Sequence, residues 1–107
     1  MMASKIHYYK ILPTRPLCNT FRAAKFDEDL NATDTLYEVS LTDAQWPPCN
    51  CPSRKQPCKH RKWAIRLNKA FIKGTITIDE MLLLWFDPQQ DAFVTFVDGI
   101  PVPVQGI

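Results

Sequence analysis

Cys49-Asn50-Cys51 and Cys58-Lys59-His60 stand six residues apart, in a stretch that also holds Pro47, Pro48, Pro52 and Pro57. Proline fixes φ and carries no N–H, so residues 47–58 neither continue a helix nor sit in a central strand. What remains is a rigid loop that presents three thiols and one imidazole in the pattern C-x-C-x6-C-x-H. Residues i and i+2 of an extended segment point to the same side, so Cys49 and Cys51 can converge. Cys58 falls just before a helical pattern and His60 in its first turn. The unpaired N–H groups and dipole of a helix N-terminus favour a thiolate there. Three cysteines and a histidine complete a tetrahedral Cys₃His shell for zinc.

Three other readings of these residues are weaker. Buried structural thiols beside a surface histidine are a poor use of a proline-rich loop. A redox or disulfide pair leaves the histidine without a role, and an iron–sulfur cluster usually takes four cysteines. A catalytic zinc needs an open coordination position and an acid or base nearby. Here four ligands close the site, and no Asp or Glu lies between Asp43 and Asp79. The expectation is one structural Zn²⁺ and no enzyme activity.

At 107 residues the chain has room for a single domain over 1–107. Its 46% hydrophobic and 22% charged residues are ordinary for a globular protein and exclude a disordered tail. A core of this size is marginal, which makes a metal staple useful. The longest apolar run, Met81 to Phe86, is too short to cross a bilayer, so no membrane partner is expected. The opening MMASKIHYYK has no apolar signal region. A reducing cytosol, or a nucleus in a eukaryote, is the expected setting, and cysteines there are metal ligands or thiols more often than disulfides. Cys18 is outside the four-ligand set and reads as a buried thiol.

The fold class expected is α+β: a small zinc-stabilised β-hairpin plus helix finger, with an N-terminal strand and a C-terminal helix/hairpin extension. Residues 5–12 read as a first strand ended by Pro13, and residues 20–26 and 36–41 as a hairpin joined by a long acidic connection over 27–35. Residues 59–73 are the clearest helix. Trp63, Ala64, Leu67, Ala70 and Phe71 share one face of it, with Gly74 as the stop. Thr77 and Glu80 fit a capping box for a second helix over 78–86. Trp85 and Phe86 read as core, and His7 as an ordinary strand histidine. Asp98-Gly99 is a two-residue hairpin signal. Pro101 and Pro103 place the arm that follows at a sheet edge or outside the sheet.

The stretch YEVSL…CNCP…PCKHRKWAI resembles the SWIM-type zinc finger, in which strands precede a CxCP loop and a PCKH segment opens a helix. The resemblance covers residues 20–73 and leaves 74–107 as an acidic, apolar extension. It implies Cys49, Cys51, Cys58 and His60 as the zinc ligands, and binding to DNA or to proteins. No ATPase, transposase or kinase motif accompanies the finger, so the chain reads as a stand-alone module.

Charge agrees with a nucleic-acid partner. Residues 44–78 carry eight basic side chains and no acid, whereas residues 79–107 carry five acids and no base. Lys62, Arg66, Lys69 and Lys73 fall in one stripe of the helix, and Arg54 and Lys55 lie in the loop. All six are candidate phosphate contacts. DNA is the favoured partner, and no small-molecule substrate is evident. The alternative is a protein-interaction adaptor or inhibitor whose acidic, apolar C-terminal third docks on a larger enzyme, as an accessory protein of a phage or mobile element would.

Overall fold

The computed structural model describes residues 6–14, 20–42, 48–52 and 58–107. Within them the chain is α+β, as expected. Strands β1 (His7–Pro13), β2 (Thr20–Asp27) and β3 (Ala32–Ser40) precede helices α1 (Lys59–Ile72) and α2 (Ile78–Leu83). Strands β4 (Trp85–Asp87), β5 (Ala92–Val97) and β6 (Ile100–Pro103) follow. All six strands form one antiparallel sheet in the order β3-β2-β1-β4-β5-β6. The C-terminal third therefore extends the same sheet as the first three strands. Its strands continue the sheet from β1, which lies between the two halves.

Two expected boundaries move. The connection after β2 is short, because β3 begins at Ala32 and not at residue 36. The Asp27 side chain accepts from the backbone N–H groups of Asp29 and Asn31, each at 2.9 Å, and Leu30 takes a positive φ of 64°. That local wrap closes the turn in few residues. The β-branched Thr33 and Thr35 then extend the strand, and the Thr33 hydroxyl donates to the Lys25 carbonyl at 2.9 Å beside the irregularity between Ala24 and Phe26. β1 ends at Pro13 as expected, with the proline itself included as the last paired residue, opposite Phe21.

The second change is at α2, which stops at Leu83 and not at residue 86. Its capping box forms as expected: the Thr77 hydroxyl accepts from the Glu80 N–H and the Glu80 carboxylate accepts from the Thr77 N–H, each at 3.1 Å. Leu84 then turns extended, and Trp85–Asp87 pairs with β1 on one side and β5 on the other. Pairing on two sides outweighs the helix preference of a leucine run. The last hairpin matches its sequence signal. Asp98 and Gly99 have φ of 52° and 78°, the double left-handed geometry of a type I′ turn, and Val97 faces Ile100. β6 is an edge strand.

Alternation divides the sheet into two faces. On one, Tyr9, Phe86 and Phe93 sit side by side across β1, β4 and β5. With Ile11, Phe21, Ala23 and Val39 they meet the buried stripe Trp63, Ala64, Leu67 and Ala70 of α1. The Trp63 indole stacks on Phe86 at 4.2 Å, and Phe86 meets Phe93 edge-on at 5.0 Å. The other face carries a second aromatic group. Trp85 meets Phe26 at 4.8 Å and Phe96 at 6.0 Å, and Tyr8 meets Phe96 at 5.1 Å. The Lys10 ammonium lies 4.2 Å from the centre of the Trp85 ring and donates to the Leu82 carbonyl at 2.7 Å. Phe86 is thus core as expected, whereas Trp85 is half-buried on the opposite face.

Candidate metal centre

Two elements bring the four candidate ligands together. The first is β3. After the chain leaves Ser40 it returns antiparallel along the outer edge of that strand, where Cys49 bridges Val39. The Ser40 N–H donates to the Pro48 carbonyl at 2.6 Å, and the Asn50 N–H donates to the Glu38 carbonyl at 3.2 Å. The Asn50 side chain accepts from the Glu38 N–H at 2.8 Å. Cys49 and Cys51 are thereby held on the side of this segment that faces the core, where both are buried, while Asn50 between them is exposed.

The second element is α1. Cys58 is its N-cap, with extended backbone at φ −83° and ψ 174°, and His60 lies one residue inside. The Cys58 side chain caps nothing, so its sulfur is available for another partner at the positive end of the helix dipole. Arg61 ties this turn to the end of β3, donating to the Ser40 carbonyl at 3.2 Å and to the Leu41 carbonyl at 3.5 Å.

The ligand atoms of Cys49, Cys51, Cys58 and His60 lie within 4.8 Å of one another, and all four residues are buried. His60 Nδ1 is 3.6 Å from the Cys58 sulfur and 3.9 Å from the Cys49 sulfur. A tetrahedron with metal–sulfur arms of ~2.3 Å and a metal–nitrogen arm of ~2.0 Å has sulfur–nitrogen edges of ~3.5 Å, so the spacing suits one ion at the centre. Tyr37, Trp63 and Tyr9 surround the imidazole at ring distances of 4.8, 5.3 and 5.5 Å. Nε2 is buried and has no hydrogen-bond partner among the described residues.

Electrostatics point the same way. Burial, reinforced by Lys59 and Lys25, lowers the His60 pKa to about 4 and keeps the ring in the neutral form that ligates metal. Burial pushes the Cys49 thiol up, and its hydrogen bonds with the neighbouring Cys58 and Cys51 side chains add to the rise. A thiolate at that position therefore requires a cation beside it, and a divalent metal supplies one. The four residues fit one metal ion, and the soft thiolate-rich donor set suits zinc.

The six candidate phosphate contacts divide into three groups. Arg54 and Lys55 lie outside the described residues. Lys62, Lys69 and Lys73 are exposed along α1 and its C-cap. Arg66 is engaged elsewhere: it pairs with the Asp91 carboxylate at 3.1 Å and donates to the Asp91 carbonyl at 3.2 Å. It also donates to the Ile107 carbonyl at 3.5 Å, and its guanidinium lies over the Phe86 and Phe93 rings at 5.6 and 5.8 Å. The basic segment lacks acids of its own, but the fold brings it one from the acidic third. Cys18 also falls outside the described residues. Asn50 and Arg61, which hold the site in place, carry no signal in the sequence beyond their adjacency to ligands.

The fold and site define a small α+β protein whose sheet and principal helix meet at a buried Cys₃His cluster fit for one metal ion. No protein-family model, curated protein or solved structure matches the chain. The likeness to SWIM-type fingers rests on the motif and on the strand–loop–helix order around it.

Proposed function

We propose that this chain is a non-enzymatic, zinc-stabilised nucleic-acid-binding module of SWIM type, with DNA as the favoured partner. The observation that carries the reading is the exposed row Lys62, Lys69 and Lys73 along α1 and its C-cap, the helix whose N-cap and first turn supply two of the four candidate metal ligands. Folding about the ion fixes the start of α1, and with it the direction in which that row points. A zinc with three thiolates and a neutral imidazole carries net charge −1 and is closed to substrate, which supports a structural role for the metal.

The test is affinity for a DNA duplex at ~0.15 M salt, for wild type and for a Lys62→Glu, Lys69→Glu, Lys73→Glu variant with its zinc content checked. Three phosphate contacts give a slope of log K against log salt of about −3. The expected result is that slope for wild type and loss of binding in the variant, uniform across sequences. Arg66 is left intact because changing it would break the Asp91 pair.

A second reading has its own observation. Val97, Ile100 and Val102 are 53%, 63% and 40% exposed, and by register they lie on one face of the β5–β6 hairpin. If neither protein binds DNA at that salt, the adaptor reading takes precedence, with this hairpin as its contact surface.

A further inference from the structure

The residue between the first two ligands makes a contact that metal ligation alone does not require. Asn50 is exposed and offers the site no ligand atom, yet it bonds β3 twice. Its side-chain oxygen accepts from the Glu38 N–H at 2.8 Å, and its own N–H donates to the Glu38 carbonyl at 3.2 Å. The Pro48 carbonyl adds a bond from the Ser40 N–H at 2.6 Å. Together these occupy the outward-facing backbone groups of β3 at Glu38 and the N–H at Ser40, and among the described residues no strand pairs with the edge over 32–36.

We propose that Asn50 is a positioning residue for the metal: an amide latch that locks the Cys49–Cys51 segment to the edge of β3. The inference rests on the metal-site reading above and adds a residue to it. Metal residence is limited by how often a ligand swings away. Of the four ligands, His60 lies in a helix of fourteen residues and Cys58 is its N-cap. Cys49 and Cys51 are carried by a short segment that, among the described residues, pairs with β3 through one isolated bridge. The Asn50 side chain supplies the bond that a longer ladder would otherwise give. Release of the latch lets both sulfurs leave together, and it also frees the Glu38 amide. Metal exit and exposure of that stretch of sheet edge are then one event.

The magnitude follows from other metal sites, where removing a partner that orients a ligand typically lowers metal affinity about 10–100-fold. The experiment uses the full chain loaded with zinc. It measures zinc affinity and zinc release to a chromophoric chelator for wild type, Asn50→Leu and Asn50→Asp, with amide exchange at Glu38 recorded for each. Asn50→Leu is expected to release zinc at least tenfold faster and to bind it correspondingly more weakly. Its Glu38 amide should exchange faster, while the amides of Phe86 and Val94 keep their wild-type protection. Asn50→Asp keeps the acceptor oxygen at the same reach and should restore most of the lost residence time and Glu38 protection. The latch is overturned if Asn50→Leu matches wild type within twofold, or if Asn50→Asp fails as badly as Asn50→Leu. Wild-type protein that takes up no stoichiometric zinc would instead overturn the metal site, and the latch with it.

Discussion

His60 shows how one residue joins the chemistry of the site to the stability of the fold. Its imidazole is buried against Tyr37, Tyr9 and Trp63, and burial lowers its pKa from 6.5 to about 4. The unfolded chain therefore binds a proton below pH 6.5 that the folded chain refuses until about pH 4. The stability this contributes is complete above pH 6.5 and drains away as the pH falls toward 4. Proton competition for the thiolates acts in the same direction. Urea midpoints of zinc-loaded protein should thus fall steadily between pH 7 and pH 4.5, with zinc released in step, and a midpoint that rises on acidification would contradict the site. Substitution makes a second prediction at this scale. Cys58→Ser should lose the metal, whereas Cys18→Ala should retain it in full by elemental analysis. The Cys₃His cluster was legible in the sequence because metal chemistry demands particular residue types at close spacing. The partner of Arg66 was not legible, for the opposite reason. On the helical wheel Arg66 belongs with Lys62 and Lys69, and only the fold brings Asp91 within 3.1 Å of it.

Among the elements, the pairing of β1 with β4 is the critical joint. It joins the β3-β2-β1 half of the sheet to the β4-β5-β6 half, and its single registered pair is Tyr9 with Phe86. Aromatic groups close the joint from both sides: Trp63 and Phe93 pack against Phe86 on one face, and Trp85 spans from Phe26 to Phe96 on the other. Phe86 is 0% exposed, so Phe86→Ala should cost about 3–5 kcal/mol in chemical denaturation, the range for a fully buried phenylalanine. Trp85→Ala removes two edge-to-face contacts and the ring under Lys10. Each aromatic pair adds about 0.5–1.5 kcal/mol beyond burial, so this variant should also melt earlier while its zinc content stays at one per chain. Unchanged melting would show that the outer cluster is not structural. Local signals made α1, the capping box of α2 and the Asp98-Gly99 turn readable, since each is written in residues a few positions apart. The strand at Trp85–Asp87 was not readable, because its partners lie far away at Tyr9 and at Ala92–Val94.

For the molecule as a whole, a continuous line of rings connects the Cys₃His cluster to the sheet. His60 meets Trp63, Trp63 stacks on Phe86, and Phe86 meets Phe93. Structural zinc contributes about 10–16 kcal/mol in finger peptides, as much as the entire stability of a small domain. Strong chelation should therefore collapse the cooperative fold, seen as loss of far-ultraviolet dichroism together with a change in tryptophan emission from Trp63. Persistence of the full spectrum after complete zinc removal would place the stability elsewhere.

The sheet also has a defined end. In β6, Ile100 and Val102 direct their N–H groups toward β5, so the outward positions fall to Pro101 and Pro103. Neither proline has a proton to give, and between Ile100 and Pro103 the outer margin offers a neighbour no donor at all. The molecule is consequently a particle of fixed width on that side. A copy that meets this margin finds no N–H there with which to add a strand.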